Sequence, residues 1–425
     1  MSANGNRIIN DLILPTILFT SAGFFGWAVR GTYGYGAIPG STFAACCFAI
    51  TWYLLSKRCT VASERRRYGL GWSIFGIICA IGLNGMHGWM MYQQWDKGIF
   101  PMTPGPALSI DPAIGYIWWF IAAVPWTGTG ALLLGWSGAK KRYSWRAWVL
   151  RIGLGIGGLF AALGFREIFP QLVLPNYILG IYSDLGSCFG CREALEDTGT
   201  ALAFFGLFAG FLAFEIIQKD WTNVKLALII GVTTALWWML FQASNIQHYA
   251  WRFFEASAGV GIGVGFGLAF YFCNKTVPIK ESGNAGMTQH HNAERLVGVY
   301  LALTIALVYA LNQALYAIIW AAVGTELDFI PEISIPLVVC GMGLWVMLAI
   351  RSIKRPENPG ASSAPKDTNI ILYLVPYTIL RACGFIVTLA EDGFTGIGME
   401  FSVFYILLAA ADLVVVYAIK NAKNP

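Results

Sequence analysis

Ala256-Ser-Ala-Gly259-Val-Gly261-Ile-Gly263-Val-Gly265-Phe-Gly267-Leu-Ala-Phe-Tyr-Phe-Cys273 holds no charged side chain over a length that suits a membrane crossing. A span needs roughly 20 mostly apolar residues, each rising about 1.5 Å. No strand signal precedes these glycines and no Gly-Lys-Ser/Thr follows them, so a phosphate-cradling loop fits poorly. Small residues at a helix contact instead let two backbones approach closely inside a membrane. Gly153-Leu-Gly155-Ile-Gly157-Gly158 reads the same way.

Comparable apolar blocks recur along the chain. They predict spans at 10–30, 36–56, 69–93, 113–136, 148–167, 196–217, 224–244, 252–273, 294–320, 331–350, 369–390 and 400–419. Composition agrees: 57% of residues are hydrophobic and only 12% are charged, with a mean hydropathy of +0.60. A soluble domain carries about 25% charged residues. The first block lacks a small-residue cleavage site and runs directly into the second, unlike a signal peptide. The expected fold is therefore an all-α polytopic membrane protein of about twelve helices, one integral membrane domain over 1–425.

Charge sets the expected orientation. Of 28 Lys and Arg residues, 22 fall at the termini or in the even-numbered connections, among them Arg65 to Arg67, Lys140 to Arg142, Arg146, Arg151, Lys219 and Lys275. Basic residues of short loops stay in the cytoplasm. Both termini are thus expected inside, in a cell membrane, and the helices pair as antiparallel hairpins: 8–57, 69–142, 148–219, 224–275, 294–355 and 369–420. These read as a degenerate two-helix repeat, and six such hairpins suit an (α/α)6-like ring around an outward-open cavity.

The outward ends carry the unusual chemistry. They include Trp27-Ala-Val-Arg30-Gly-Thr-Tyr33, Asn84-Gly-Met-His87-Gly-Trp89, Gln93-Gln94-Trp95-Asp96, Arg166-Glu167, Arg192-Glu193-Ala-Leu-Glu196-Asp197, Asn245-Ile-Gln247-His248, Trp251-Arg252-Phe-Phe-Glu255, Asn312 and Asp392. Polar groups at this depth are costly unless they face a cavity or one another. Aromatics and Arg also anchor at headgroups, but Asn, Gln, His and Glu are not belt residues. Arg381, near the middle of the eleventh span, is expected either to pair with Asp412 on the twelfth or to bind substrate. Cys188-Phe-Gly-Cys191 lies in the longest outward loop, where a structural disulfide is expected.

Function follows from the side-chain mix. Neither His-Glu-x-x-His nor a nucleophile elbow is present. Carboxylates among aromatics suit a sugar ring and its glycosidic bond. The expectation is a membrane-embedded, outward-facing glycoside hydrolase or related transferase. Glu255, Glu167, Glu196 and Asp197 are its candidate acids and bases; Arg30, Tyr33, His87, Trp89, Trp95, Arg166, Asn245, Gln247, His248, Arg252, Asn312, Arg381 and Asp392 are its candidate binding residues. The alternative is a secondary transporter of a polar or anionic solute such as a sugar acid. The inner halves look inert, with Glu215 expected to snorkel to the inner surface, and this favours the enzyme. No metal or cofactor is expected, and the partners are the bilayer and a small-molecule or glycan substrate, not nucleic acid.

Overall fold

The apolar blocks form helices in the computed structural model. It describes residues 8–30, 37–56, 64–69, 71–82, 85, 88–103, 105–138, 143–186, 188–243 and 251–278, with positions 340, 343 and 347. A π-helical turn, Ile9–Ile13, leads into α1 (Leu14–Arg30), followed by α2 (Ala37–Ser56) and β1 (Glu64–Arg66). Next come α3 (Trp72–Ile77), which continues as a π segment Ile78–Gly82, then α4 (Trp89–Trp95), β2 (Ile99–Phe100) and β3 (Leu108–Ser109). The long helices follow: α5 (Pro112–Ser137), α6 (Trp145–Ile168), the single turn α7 (Pro170–Val173), α8 (Phe189–Ile217), α9 (Trp221–Ala243) and α10 (Trp251–Cys273), with β4 (Thr276–Pro278) behind.

Among the described residues five helices are long and apolar enough to cross a membrane: Pro112–Ser137, Trp145–Ile168, Phe189–Ile217, Trp221–Phe241 and Glu255–Cys273. An all-α membrane protein is what such helices make, because helices satisfy every backbone group internally where no water can. The spans expected beyond 293, and the hairpins 294–355 and 369–420, lie outside the described residues apart from three isolated positions.

Local chemistry places the helix starts. Ser144 is extended, and its hydroxyl accepts from the Ala147 N–H at 3.3 Å, capping α6. Asp111 accepts from Ala113 N–H at 2.9 Å, and Pro112 occupies the first helical position of α5, where its missing N–H costs nothing.

The third expected span departs from prediction. Instead of one helix over 69–93, α3 loosens into the π segment at 78–82, and α4 starts anew after Gly88, whose φ is +79°. A left-handed residue cannot continue an α-helix, and glycine adopts that conformation without a Cβ penalty.

The chain forms two compact units. The first holds residues 1–84, 133–140 and 251–425. Within it α1 and α10 pack antiparallel along their small residues. Gly259 lies against the Gly23 backbone, Gly263 against Phe19 and Thr20, and Gly267 against Thr16. A Cβ on Gly263 would fall 2.5 Å from Thr20 Cα, so only glycine permits this approach. Phe19, Trp52, Phe266 and Phe270 fill the space beside the contact, with ring centroids 5.4–6.2 Å apart. At one end, three segments assigned to the same side by their basic residues meet. β1 pairs antiparallel with β4, Arg66 forms an ion pair with Asp11, and its Nη1 donates to Asn274 O at 3.1 Å. Asn274 also accepts from the Tyr68 N–H at 3.0 Å and donates to Ser56 Oγ at 2.8 Å.

The second unit holds residues 85–132 and 141–250. Here α6 and α8 pack antiparallel, with Gly158 against the backbone of Gly206 and Gly155 against the Phe211 ring. Gly128 of α5 touches Phe208 of α8 and lies 3.3 Å from the position a Gly231 Cβ would take on α9. The two expected hairpin partners of 224–275 belong to different units: α9 to the second, α10 to the first.

Candidate functional site

The chemically richest place in the second unit is where α4, α5 and α8 present aromatic and acidic side chains. α4 is a short helix of about two turns placed by Gly88, and its aromatics fold back along the helix. The Tyr92 ring lies over Gly88 so closely that a Cβ there would be 2.5 Å from the phenol oxygen. The same Cβ would be 2.9 Å from Asp197 Cβ, so Gly88, Tyr92 and Asp197 converge. Tyr92 stacks on Trp118 (5.8 Å), and Trp95 stacks on Phe100 (6.0 Å). Both Tyr92 and Trp95 are wholly buried.

Behind them, Trp119 stacks on Trp238 at 5.3 Å and donates from Nε1 to Asp96 Oδ2 at 2.9 Å. Burial holds the Asp96 carboxyl above the usual carboxylate range, and the Trp119 bond and Lys97 oppose that shift.

On α8, Glu193 and Asp197 are one helical turn apart and share a face, with Glu196 alongside. Asp197 is partly buried, Glu196 is exposed, and both Glu193 and Glu196 act on Asp197 electrostatically. Arg166, at the end of α6, donates from Nη1 to Leu195 O at 3.1 Å and from Nε to Glu167 Oε1 at 3.0 Å. Gly199 leaves room for that guanidinium, which a Cβ would displace. Arg166 thus staples α6 to α8 just below the acids, while Glu167 keeps 68% of its side-chain exposure.

The start of α8 is fixed by sulfur chemistry. Cys188 and Cys191 form a disulfide, and Cys188 Sγ accepts from the Cys191 N–H at 3.2 Å. Met102 Sδ lies 3.5 and 3.7 Å from the two sulfurs, and Phe189 N–H donates to Thr103 O at 2.8 Å. The segment 101–103 and the acidic end of α8 are therefore one assembly.

At the other end of the α6–α8 pair lies a second polar cluster. Arg151 Nη2 is 2.8 Å from Glu215 Oε1, Asn223 Nδ2 donates to Glu215 Oε2 at 3.1 Å, and Arg151 lies 4.5 Å from the ring centres of Tyr143, Trp148 and Phe214. This corrects two expectations. Glu215 does not snorkel to a surface but is wholly buried, and Arg151 is a core residue of a helix rather than a loop charge. An aromatic cage and a carboxylate together offset the desolvation of the guanidinium.

The expected site residues distribute as follows. Trp95, Arg166, Glu167, Glu196 and Asp197 lie in the second unit with Trp89, which is partly buried at the start of α4. Glu255 is buried in the second turn of α10, one turn before the Gly259–Gly23 contact, in the first unit. Arg30 ends α1 and Arg252 lies in the first turn of α10, each described by its backbone alone. Tyr33, His87, Asn245, Gln247, His248, Asn312, Arg381 and Asp392, with Asp412, lie outside the described residues.

Sequence reading passed over Tyr92, Glu193 and the Arg151–Glu215 pair. A signal existed for each: Gly88 stands one turn before Tyr92, Glu193 one turn before Asp197, and Arg151 and Glu215 lie near the adjoining ends of consecutive spans. Among the described residues no group of three His, Cys, Asp or Glu side chains is arranged to hold a metal. No protein-family profile, curated protein or solved structure matches the chain.

Proposed function

We propose that the chain is a multi-pass enzyme of about twelve spans, arranged as six hairpins around an outward-open cavity. It acts on a carbohydrate or glycoconjugate by paired-carboxylate chemistry. The observation that carries this reading is the face of α8 that presents Glu193 and Asp197 one turn apart, with Asp197 against Tyr92 and Gly88. Acid–base pairs work when two carboxylates sit in different surroundings, so that one holds a proton while its neighbour is ionised. Residues one helical turn apart have Cβ atoms about 5–6 Å apart. Retaining glycosidases hold their carboxyls about 5–5.5 Å apart, so retention is the expected stereochemistry. Asp197, the more enclosed acid, takes the proton-donor role; Glu193 takes the nucleophile role. Glu255 stays a third acid to be tested beside them.

The test is a sided assay on purified protein in liposomes, with a panel of glycosides and glycoconjugates added outside. Product outside, lost with Asp197→Asn and Glu193→Gln, supports the enzyme. Wild-type turnover that survives both changes removes this assignment of the acids.

A transporter is the second reading, and one observation favours it. The third expected span does not run through Gly88, whose φ is +79°, and discontinuous helices commonly form solute sites in transporters. Saturable accumulation of intact solute inside the liposomes, without product, decides for it. The Arg151–Glu215 cluster counts against an inward path, since both side chains are fully enclosed and held in one ion pair.

A further inference from the structure

The two-stranded ribbon of the first unit divides three consecutive arginines between its faces. Arg65 and Arg66 of β1 stand opposite Val277 and Thr276 of β4, and the Arg67 N–H carries the ladder one step further, to Lys275 O at 3.1 Å. Successive residues of a strand point to opposite faces. Arg66 is taken up by the fold: it pairs with Asp11, donates to Asn274 O and lies 5.3 Å from the centre of the Phe270 ring. Alternation puts Arg65, Arg67 and Lys275 together on the other face. Arg67 is half-buried and Lys275 is exposed. These two join the ribbon through their backbones, so their side chains are not what closes it.

Depth narrows what meets that face. Lys275 stands two residues past Cys273, the last residue of a helix long and apolar enough to cross a membrane. Phe272, three residues before Lys275, is 53% exposed, so open apolar surface lies about one turn from the cation. A ligand suited to both is amphiphilic, with an acyl chain along Phe272 and an anionic headgroup at Arg67 and Lys275. The guanidinium fork matches phosphate oxygens in two parallel hydrogen bonds, and an ammonium serves as a compact second charge. The sequence beside the ribbon is basic as well: Ser56, which accepts from Asn274 Nδ2 at 2.8 Å, is followed directly by Lys57-Arg58. Free phosphate or an acidic peptide would use the charges and leave Phe272 unmet.

We propose that Arg67 and Lys275 form a docking site for the phosphate of an anionic phospholipid at the β1–β4 ribbon, with Arg65 adding charge on the same face. The experiment titrates full-length protein in a nonionic detergent with short-chain phosphatidylglycerol and reads the bound fraction by native mass spectrometry. Phosphatidylcholine of equal chain length and inorganic phosphate are the comparisons. Phosphatidylglycerol should bind saturably and more tightly than either. Arg67→Gln and Lys275→Gln should each weaken it roughly fivefold, as expected for one basic residue beside an anionic headgroup, and together about 25-fold. Lys275→Arg should retain binding. Lys225→Gln, which removes an exposed charge of the second unit, should leave it unchanged. Without lipid, Lys275→Gln should keep the wild-type Tm, whereas Arg66→Gln should lower it, because Arg66 holds Asp11 and Asn274. If Arg67→Gln does not fold, the exposed Lys275 decides alone. Unchanged affinity in Lys275→Gln overturns the site, and so does equal weakening by Lys225→Gln, which would reduce the effect to net charge. Inorganic phosphate that displaces the lipid at matching concentration overturns the lipid as occupant.

Discussion

Arg151 on α6 and Glu215 on α8 form an ion pair of 2.8 Å in which neither side chain retains any solvent exposure. The pair locks two membrane helices at a fixed depth, since each charge without the other would stand alone in a low-dielectric interior. Glu215→Gln or Arg151→Met alone should therefore cost about 3–5 kcal/mol. The double replacement Arg151→Met with Glu215→Leu should recover most of that loss. Unfolding of the three variants in detergent checks it, and full additivity of the single losses would argue against a pair that acts as one unit.

Gly88 is the pivot of the proposed site. Gly88→Ala adds a Cβ into Tyr92 and Asp197 at a φ of +79°, where L-residues are strained. Binding should fall sharply and Tm should drop, while Gly85→Ala, where a Cβ meets nothing within 4 Å, should be tolerated. Equal tolerance at both positions would falsify the placement of α4.

Glycines one residue apart should behave in opposite ways. Gly158 meets the Gly206 backbone, whereas a Cβ on Gly157 would meet nothing within 4 Å. Gly157→Ala should stabilise α6 by up to about 1 kcal/mol, the ordinary gain in helix propensity. Gly158→Ala should destabilise the protein by separating α6 from α8. Paired thermal melts decide this, and an inverted order would mean that another face of α6 carries the contact.

The disulfide holds the acidic end of α8 to Met102 and its neighbours. Closing so short a loop is worth roughly 2 kcal/mol in the chain-entropy account. Cys188→Ser with Cys191→Ser should lower stability by about that amount and raise hydrogen exchange at 189–197. Exchange confined to other segments would dissociate the disulfide from the site.

Asp96 should give the second unit a pH dependence. Burial raises its carboxyl above the ordinary range, so the folded protein holds that proton more tightly than the unfolded chain. Stability contributed here is greatest at low pH. It declines as pH climbs from the ordinary carboxylate value to the raised one, and is constant above. Asp96→Asn, which keeps an acceptor for Trp119, should gain Tm relative to wild type on going from mild acid to neutral pH. A difference that does not change with pH would rule the effect out.

Much of the architecture follows from composition. The apolar blocks become α1, α2, α5, α6, α8, α9 and α10, and the last five are long and apolar enough to cross a membrane, where a helix satisfies every backbone group internally. The glycine runs become helix contacts for the same reason that they were read as such: without hydrophobic drive, close approach is what remains to hold helices together. The break at Gly88 is not legible, because an apolar stretch with scattered glycines suits a continuous helix as well as a broken one. Nor is the partner of Glu215, which lies 64 residues away along the chain, at Arg151.

Helical, apolar character is a local property, written in the side chains of each segment by itself. Which glycine of Gly157-Gly158 faces a neighbour, which carboxylate is enclosed, and where Tyr92 places its hydroxyl depend on the rotation and depth of each helix. Those are set by close packing against neighbouring helices, where a shift of one residue turns a side chain by about 100°, and no single segment encodes them.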